Sequence, residues 1–281
     1  MNIQTVCVCG AGTMGSGITL VSAQSGFYSI QFDLSEQALD NSKTAIDKNL
    51  QYLLSKQKIT EQEKIEILQR IKFTTNLNDC IADIIIEAII EKKEAKINLF
   101  NQLAEINHSE TIFATNTSSI SVSDIAAGVM QPSRVVGMHF FNPANIMKLV
   151  EVVSAQQTKP EVATTVYELA KQMNKNPVMC ADAPGFIINR VARHYYLEAM
   201  YLVEQDLASI ETVDAVLENA GFKMGPFKLM DLIGMDINYS VSKIVWDALG
   251  KPERLTPSNL QKQKIESGNL GRKTGQGFYT Y

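Results

Sequence analysis

The chain contains three histidines, His108, His139 and His194. Histidine is the side chain best suited to take and return a proton near neutral pH. His108 stands in the polar turn Asn107-His108-Ser109 and reads as a solvated loop residue. His194 falls in a helical stretch and reads as a flanking residue. His139 differs, because it ends an apolar run, Gly137-Met138-His139-Phe140-Phe141, and is followed by Asn142-Pro143. A histidine in such a run reads by itself as a hydrogen-bonded core residue. Its place at a strand end favours chemistry, because ligands of open α/β sheets bind beyond the carboxyl ends of the strands. Glu151, in Lys148-Leu149-Val150-Glu151-Val152-Val153, is a carboxylate among apolar neighbours. Burying it is costly without a partner, and His139 is the obvious one. Such a pair would fix the ring tautomer and stabilise imidazolium as it forms. A glutamate on a strand edge facing water is the bland alternative.

A second constellation lies near the start. Gly10-Ala11-Gly12-Thr13-Met14-Gly15 matches G-x-G-x-x-G. The pattern means little alone. Here it follows a β-rich run over 5–9 and opens a helix over about 12–25, which is the context a dinucleotide needs. The glycines permit a tight turn and close approach of a pyrophosphate to the helix N-terminus. Asp33 closes a second strand over 30–33, 18 residues after Gly15. A carboxylate there can hold both ribose hydroxyls and would repel a 2′-phosphate, so the pattern predicts NAD rather than NADP.

The elements that must position these residues follow from periodicity. Apolar spacing predicts a helix over 36–56, and Thr60 with Glu63 predicts a capping box opening another helix to about 71. This pair, about 36–71, reads as an insertion over the ligand edge of the sheet. Strands are expected over 82–90, 111–115, 134–141, 149–154 and 177–181, with a helix over 91–106. The break at Ala183-Pro184-Gly185 ends the strand–helix rhythm. Only helices follow, over 186–205, 210–220, 226–233, 236–249 and 257–267. The expected architecture is an α/β Rossmann-type dinucleotide-binding domain over 1–182, followed by an all-α helical domain over 183–281.

Bulk composition narrows the class. Net charge is −4, which speaks against nucleic acid as a partner because phosphate binding needs a basic face. No run is long enough to cross a bilayer, and no leader composition precedes the first strand. Cys7, Cys9, Cys80 and Cys180 form no C-x-x-C pair, so no metal is expected. Cys7 and Cys9 read as small core residues, and the chain reads as cytoplasmic.

The spaced blocks together resemble the short-chain L-3-hydroxyacyl-CoA dehydrogenases, including bacterial 3-hydroxybutyryl-CoA dehydrogenase-like enzymes. The blocks are residues 10–17, Ile86-Glu87-Ala88-Ile89, Asn116-Thr117-Ser118-Ser119, residues 139–143 with 147–152, residues 184–190, Gly225-Pro226-Phe227 and residues 271–279. The resemblance implies NAD-dependent, reversible oxidation of a 3-hydroxyacyl-CoA thioester to the 3-ketoacyl-CoA. It implies His139 as acid/base oriented by Glu151, with Ser118 and Asn189 on the substrate oxygens. It puts Glu91, Lys96, Ser118, Asn142 and Lys273 near the cofactor, with Gly10, Ala11, Gly12, Thr13, Met14, Gly15 and Asp33. It sets Lys56 near CoA. It implies a homodimer paired through the helical domain, which would also bind substrate. The family often has proline where His194 stands, and the 145–146 region also departs from it. Both changes put acyl chain length in doubt but not the reaction. A 3-hydroxyacid dehydrogenase acting on a free carboxylate would carry lysine at the catalytic position. A catalytically silent NAD-binding relative would be expected to have lost one of Ser118, His139, Glu151 or Asn189, and all four are present.

Overall fold

The computed structural model describes residues 2–281. They divide into two compact units, residues 2–182 and Ala183–Tyr281. The first unit holds a sheet of order β3-β2-β1-β4-β5-β6-β7-β8. Its strands are β1 (Thr5–Cys9), β2 (Tyr28–Phe32), β3 (Ile71–Thr74), β4 (Ile84–Glu87), β5 (Ile112–Thr115), β6 (Val135–Phe140), β7 (Leu149–Ser154) and β8 (Asn176–Ala181). The helices between them are α1 (Thr13–Gln24), α2 (Glu36–Ser55), α3 (Glu61–Gln69), α4 (Lys93–Ile106), α5 (Val122–Ala127) and α6 (Pro160–Gln172). All pairings are parallel except β6 with β7. Strands β4 and β5 are buried at every position, as parallel strands covered on both faces must be. Cys7 and Cys9 are buried in β1.

Several boundaries differ from the sequence reading, and those nearest the glycine turn matter most. The stretch ending at residue 71 is not wholly helical: α3 stops at Gln69, and Ile71 opens β3, which pairs with β2. The α2–α3 pair therefore lies within the crossover between two neighbouring parallel strands. Its capping box forms as the spacing required, with Thr60 and Glu63 satisfying each other's backbone amides. Strand β2 begins at Tyr28 and ends one residue before Asp33. Strand β4 ends at Glu87, so residues 88–90 leave the sheet and turn toward the glycine loop.

The second unit is helical: α7 (Ile188–Glu204), α8 (Ile210–Asn219), α9 (Pro226–Ile233), α10 (Met235–Ala248) and α11 (Asn259–Glu266). Two buried aspartates tie it together. Asp214 accepts the Phe227 and Lys228 amides at the start of α9, at 2.9 and 3.0 Å. Asp231 accepts the Phe278 and Tyr279 amides, both at 2.9 Å. These bonds give a physical reason for the Gly225-Pro226-Phe227 and 271–279 blocks. A side chain at Gly225 would put its Cβ 2.3 Å from the Asp214 carboxylate.

Candidate active site

Five parallel strands bring functional residues to one edge of the first unit. The glycine turn follows β1, Asp33 follows β2, Glu87 ends β4, Thr115 ends β5, and His139 lies one residue from the end of β6. Because β7 runs antiparallel to β6, Glu151 comes back to the same edge, directly opposite His139 in the ladder. Cross-strand partners share a face of the sheet. The His139 Nδ1 donates to Glu151 Oε2 at 2.8 Å, with Glu151 fully buried and His139 5% exposed. With Nδ1 donating to a carboxylate, the neutral ring carries its basic lone pair on Nε2. The ring also packs on Phe141, centroids 4.5 Å apart.

The glycine turn fits a dinucleotide. Gly10 has φ +109°, and a Cβ there would sit 2.5 Å from the Ala88 carbonyl. A Cβ at Gly15 would fall 1.9 Å from the Gly10 carbonyl, so the turn cannot close around a side chain. Gly12 caps α1 and has nothing within 4 Å of its Cβ position. That open space before a helix N-terminus suits a pyrophosphate. Asp33 accepts the Ala11 amide at 2.8 Å and the Ser35 amide at 2.9 Å, which holds its carboxylate beside the turn. A cleft of about 570 Å³ runs from Gly12, Thr13 and Ser16 past Asn49 of α2 to residues 142–146. Asn142 is exposed on its rim, joined to Pro143 by a cis peptide bond.

Ser118 sits in the loop after β5, where a buried polar network holds the backbone. Asn116 accepts the Phe140 amide at 2.9 Å, tying that loop to the end of the His139 strand. Glu91 accepts from Thr117, from the Ser119 hydroxyl at 2.9 Å and from the Ser118 amide at 3.3 Å. Lys96 lies beneath, 1% exposed, with its ammonium 2.6 Å from Glu87 and 3.0 Å from Glu91. Thr115 completes the network by donating to Glu87 at 2.7 Å. Burial lifts the Glu87 carboxyl above the usual carboxylate range, against the pull of Lys96. Burial pushes Glu91 upward as well, but Lys96 and the Thr117 and Ser119 hydroxyls outweigh it and hold Glu91 low. The resemblance placed Lys96 beside the cofactor. The structure encloses its ammonium between two carboxylates, so its effect passes through Glu91.

The remaining residues are placed singly. Lys56 closes α2, exposed, with its ammonium 5.7 Å from the Tyr52 ring centre. Asn189 stands in the first turn of α7, and Lys273 is ion-paired with Asp236 at 2.5 Å, both in the helical unit. His108 and His194 are exposed. The sequence reading missed Glu87, Thr115 and Thr117 as a connected group. A carboxylate inside the apolar run of β4 was the available signal, the same one that marked Glu151.

The fold and the glycine turn define a Rossmann-type dinucleotide-binding protein. The family model for the NAD-binding domain of 3-hydroxyacyl-CoA dehydrogenase matches residues 5–183, and that for the C-terminal domain of the same enzyme matches residues 185–281. A 3-hydroxyadipyl-CoA dehydrogenase of Escherichia coli K12 is 44% identical over the whole chain, which spans 60% of that protein's length. A probable 3-hydroxybutyryl-CoA dehydrogenase of Deinococcus radiodurans is 40% identical, over 98% of this chain and 99% of its own length. The crystal structure of a 3-hydroxybutyryl-CoA dehydrogenase from Ralstonia eutropha superposes with a TM-score of 0.95 at 35% identity, covering 100% of this chain and 99% of that one. The chain belongs to the 3-hydroxyacyl-CoA dehydrogenase family, a family of NAD-dependent oxidoreductases. No helix among the described residues is long and apolar enough to cross a membrane.

Proposed function

We propose that the chain oxidises (S)-3-hydroxyacyl-CoA to 3-ketoacyl-CoA, reversibly, with His139 as acid/base and Glu151 as the partner that orients it. The buried contact of 2.8 Å between Nδ1 and the Glu151 carboxylate carries this reading. It leaves Nε2 to take the proton of the 3-hydroxyl, while Glu151 offsets the positive charge that the ring gains. Bound NAD supplies the hydride acceptor. Gly10 to Gly15 would hold its pyrophosphate, and Asp33 its adenosine ribose. Glu91, fixed by Lys96, holds the loop that presents Ser118, which takes the substrate oxygen. Asn189, Asn142, Lys273 and Lys56 keep the roles that the resemblance implies. Homodimer formation in the cytoplasm belongs to the same reading. Pairing of two copies is supported by exposed apolar side chains on the helical unit, among them Val191, Phe222, Leu232 and Ile237.

The relatives differ in the acyl tail they are named for, one a six-carbon diacid and one a four-carbon acid. The reaction at C3 is common to both. Spectrophotometric NADH oxidation with acetoacetyl-CoA, set against free acetoacetate, tests the proposal. Turnover of the thioester only supports it. NADH binding without turnover of any 3-ketoacyl thioester would leave the silent NAD-binding reading.

A further inference from the structure

One turn beyond Asn189, α7 carries a buried cation that the proposed chemistry does not use. Arg193 is 3% exposed. Its Nη1 donates to the Asn238 carbonyl at 2.8 Å and to Ser242 Oγ at 2.9 Å. Its Nε donates to the Asn189 carbonyl at 3.1 Å. Its guanidinium lies 4.9 Å from the Tyr196 ring centre. Every one of these partners is neutral. Among the described residues no carboxylate pairs with Arg193, and its Nη2 makes no hydrogen bond. Burial without an anion pulls the guanidinium down to about 10.

A second donor beside it is unsatisfied. Asn238 Nδ2 is buried without a partner. The other end of that amide, Oδ1, is already taken by Gln261 Nε2 at 2.6 Å. Gln261 Nε2 also donates to Ser242 Oγ, at 3.0 Å. Around Arg193, donors therefore outnumber acceptors and one full positive charge has no counter-ion. Proteins rarely leave a buried charge in that state. A carboxylate supplies the missing negative charge together with four lone-pair sites.

We infer that Arg193 reads the far end of the acyl chain, and that the preferred thioester is a 3-hydroxyacyl-CoA whose acyl chain ends in a carboxylate. This rests on the function proposed above, and on Asn189 meeting the oxygen at C3. Residues four apart share a helix face, separated by roughly 6 Å. In a six-carbon diacyl chain the terminal carboxyl carbon lies three carbon–carbon bonds beyond C3, roughly 4 Å when extended. A group one turn from Asn189 is therefore within reach of that carboxylate. A chain ending in methyl offers Arg193 nothing and leaves the charge stranded.

The test compares two thioesters of equal length that differ only at the tail, 3-hydroxyadipyl-CoA and 3-hydroxyhexanoyl-CoA. The ratio of their kcat/KM values is measured for the wild type, Arg193→Met and Arg193→Lys. A charge-assisted hydrogen bond is expected to favour the carboxylate tail by about 10–100-fold in the wild type. The ratio should fall at least tenfold in Arg193→Met and by less in Arg193→Lys. Because the ratio is taken within one preparation, loss of folded enzyme cancels. If Arg193→Met cannot be prepared folded, the wild-type ratio decides, together with inhibition by adipyl-CoA against hexanoyl-CoA. A wild-type ratio near one overturns the inference, as does a variant in which both substrates fall together. Turnover of neither thioester by the wild type would overturn the proposed function and the inference with it. Turnover of both without preference removes the inference alone.

Discussion

Replacing Glu151 by glutamine removes one charge from the acid/base pair and keeps its shape. The amide oxygen can still accept from His139 Nδ1, so the ring should hold its orientation. What is lost is the attraction between a carboxylate and the imidazolium that forms as the hydroxyl proton is taken. The contact is 2.8 Å and both groups are buried. Charge centres about 4 Å apart attract by about 4 kcal/mol at an effective dielectric constant near 20. At 1.36 kcal/mol per decade, the expected fall in kcat is roughly a thousandfold. KM for the thioester should change little, because the charge develops only as the reaction proceeds. Steady-state oxidation of a 3-hydroxyacyl-CoA, with a thermal melt to show that the variant folds, gives the answer. A well-folded Glu151→Gln enzyme that loses less than tenfold in kcat would show that the Glu151 charge does not stabilise the imidazolium.

Other perturbations separate the cofactor site from its support. Lys96→Met strands Glu87 and should cost about 3–5 kcal/mol, roughly 6–20 °C in melting temperature for a unit of this size. Burial already holds Glu87 above its ordinary range, so its favourable contribution is full below that range and is lost as pH rises through its folded value. Without Lys96 that upward shift grows, and the melting deficit of the variant should shrink as pH is lowered from 8 to 5. A deficit that does not change with pH would contradict this. Gly12→Val adds a side chain into open space, so melting should fall by no more than about 4 °C while titration shows NAD affinity reduced at least about tenfold. Asp33→Ser removes the charge that would repel a 2′-phosphate and should raise the NADP/NAD ratio of kcat/KM by at least about tenfold. An unchanged ratio would remove Asp33 from the ribose site.

What the sequence disclosed depended on how local each signal was. The glycine turn and Asp33 were legible because strand, turn, helix and strand lie within one short stretch. His139 and Glu151 were legible as two polar residues in apolar runs. Their register was not, since it depends on β7 running antiparallel to β6. Strand β3 was hidden because Ile71 continues the apolar spacing of α3, and no glycine or proline separates them. The pairing of β3 with β2 overrides that local preference. Glu87, Glu91 and Lys96 fall within ten consecutive residues, but Thr115, Thr117 and Ser119, which complete the network, come from beyond α4, and no short window of sequence contains them all. Nothing in the sequence separates Arg193 from an ordinary charged helix residue. Only the packing of α7 against α10 shows that it is buried with neutral partners.

The most direct measurement of the central claim is NADH oxidation with acetoacetyl-CoA by the wild type and by His139→Ala, with NADH affinity measured separately for each. The wild type should turn the thioester over, and the variant should lose at least about a hundredfold in kcat at nearly equal NADH affinity. A folded His139→Ala enzyme that turns over acetoacetyl-CoA at close to the wild-type rate would show that the proton passes through another group.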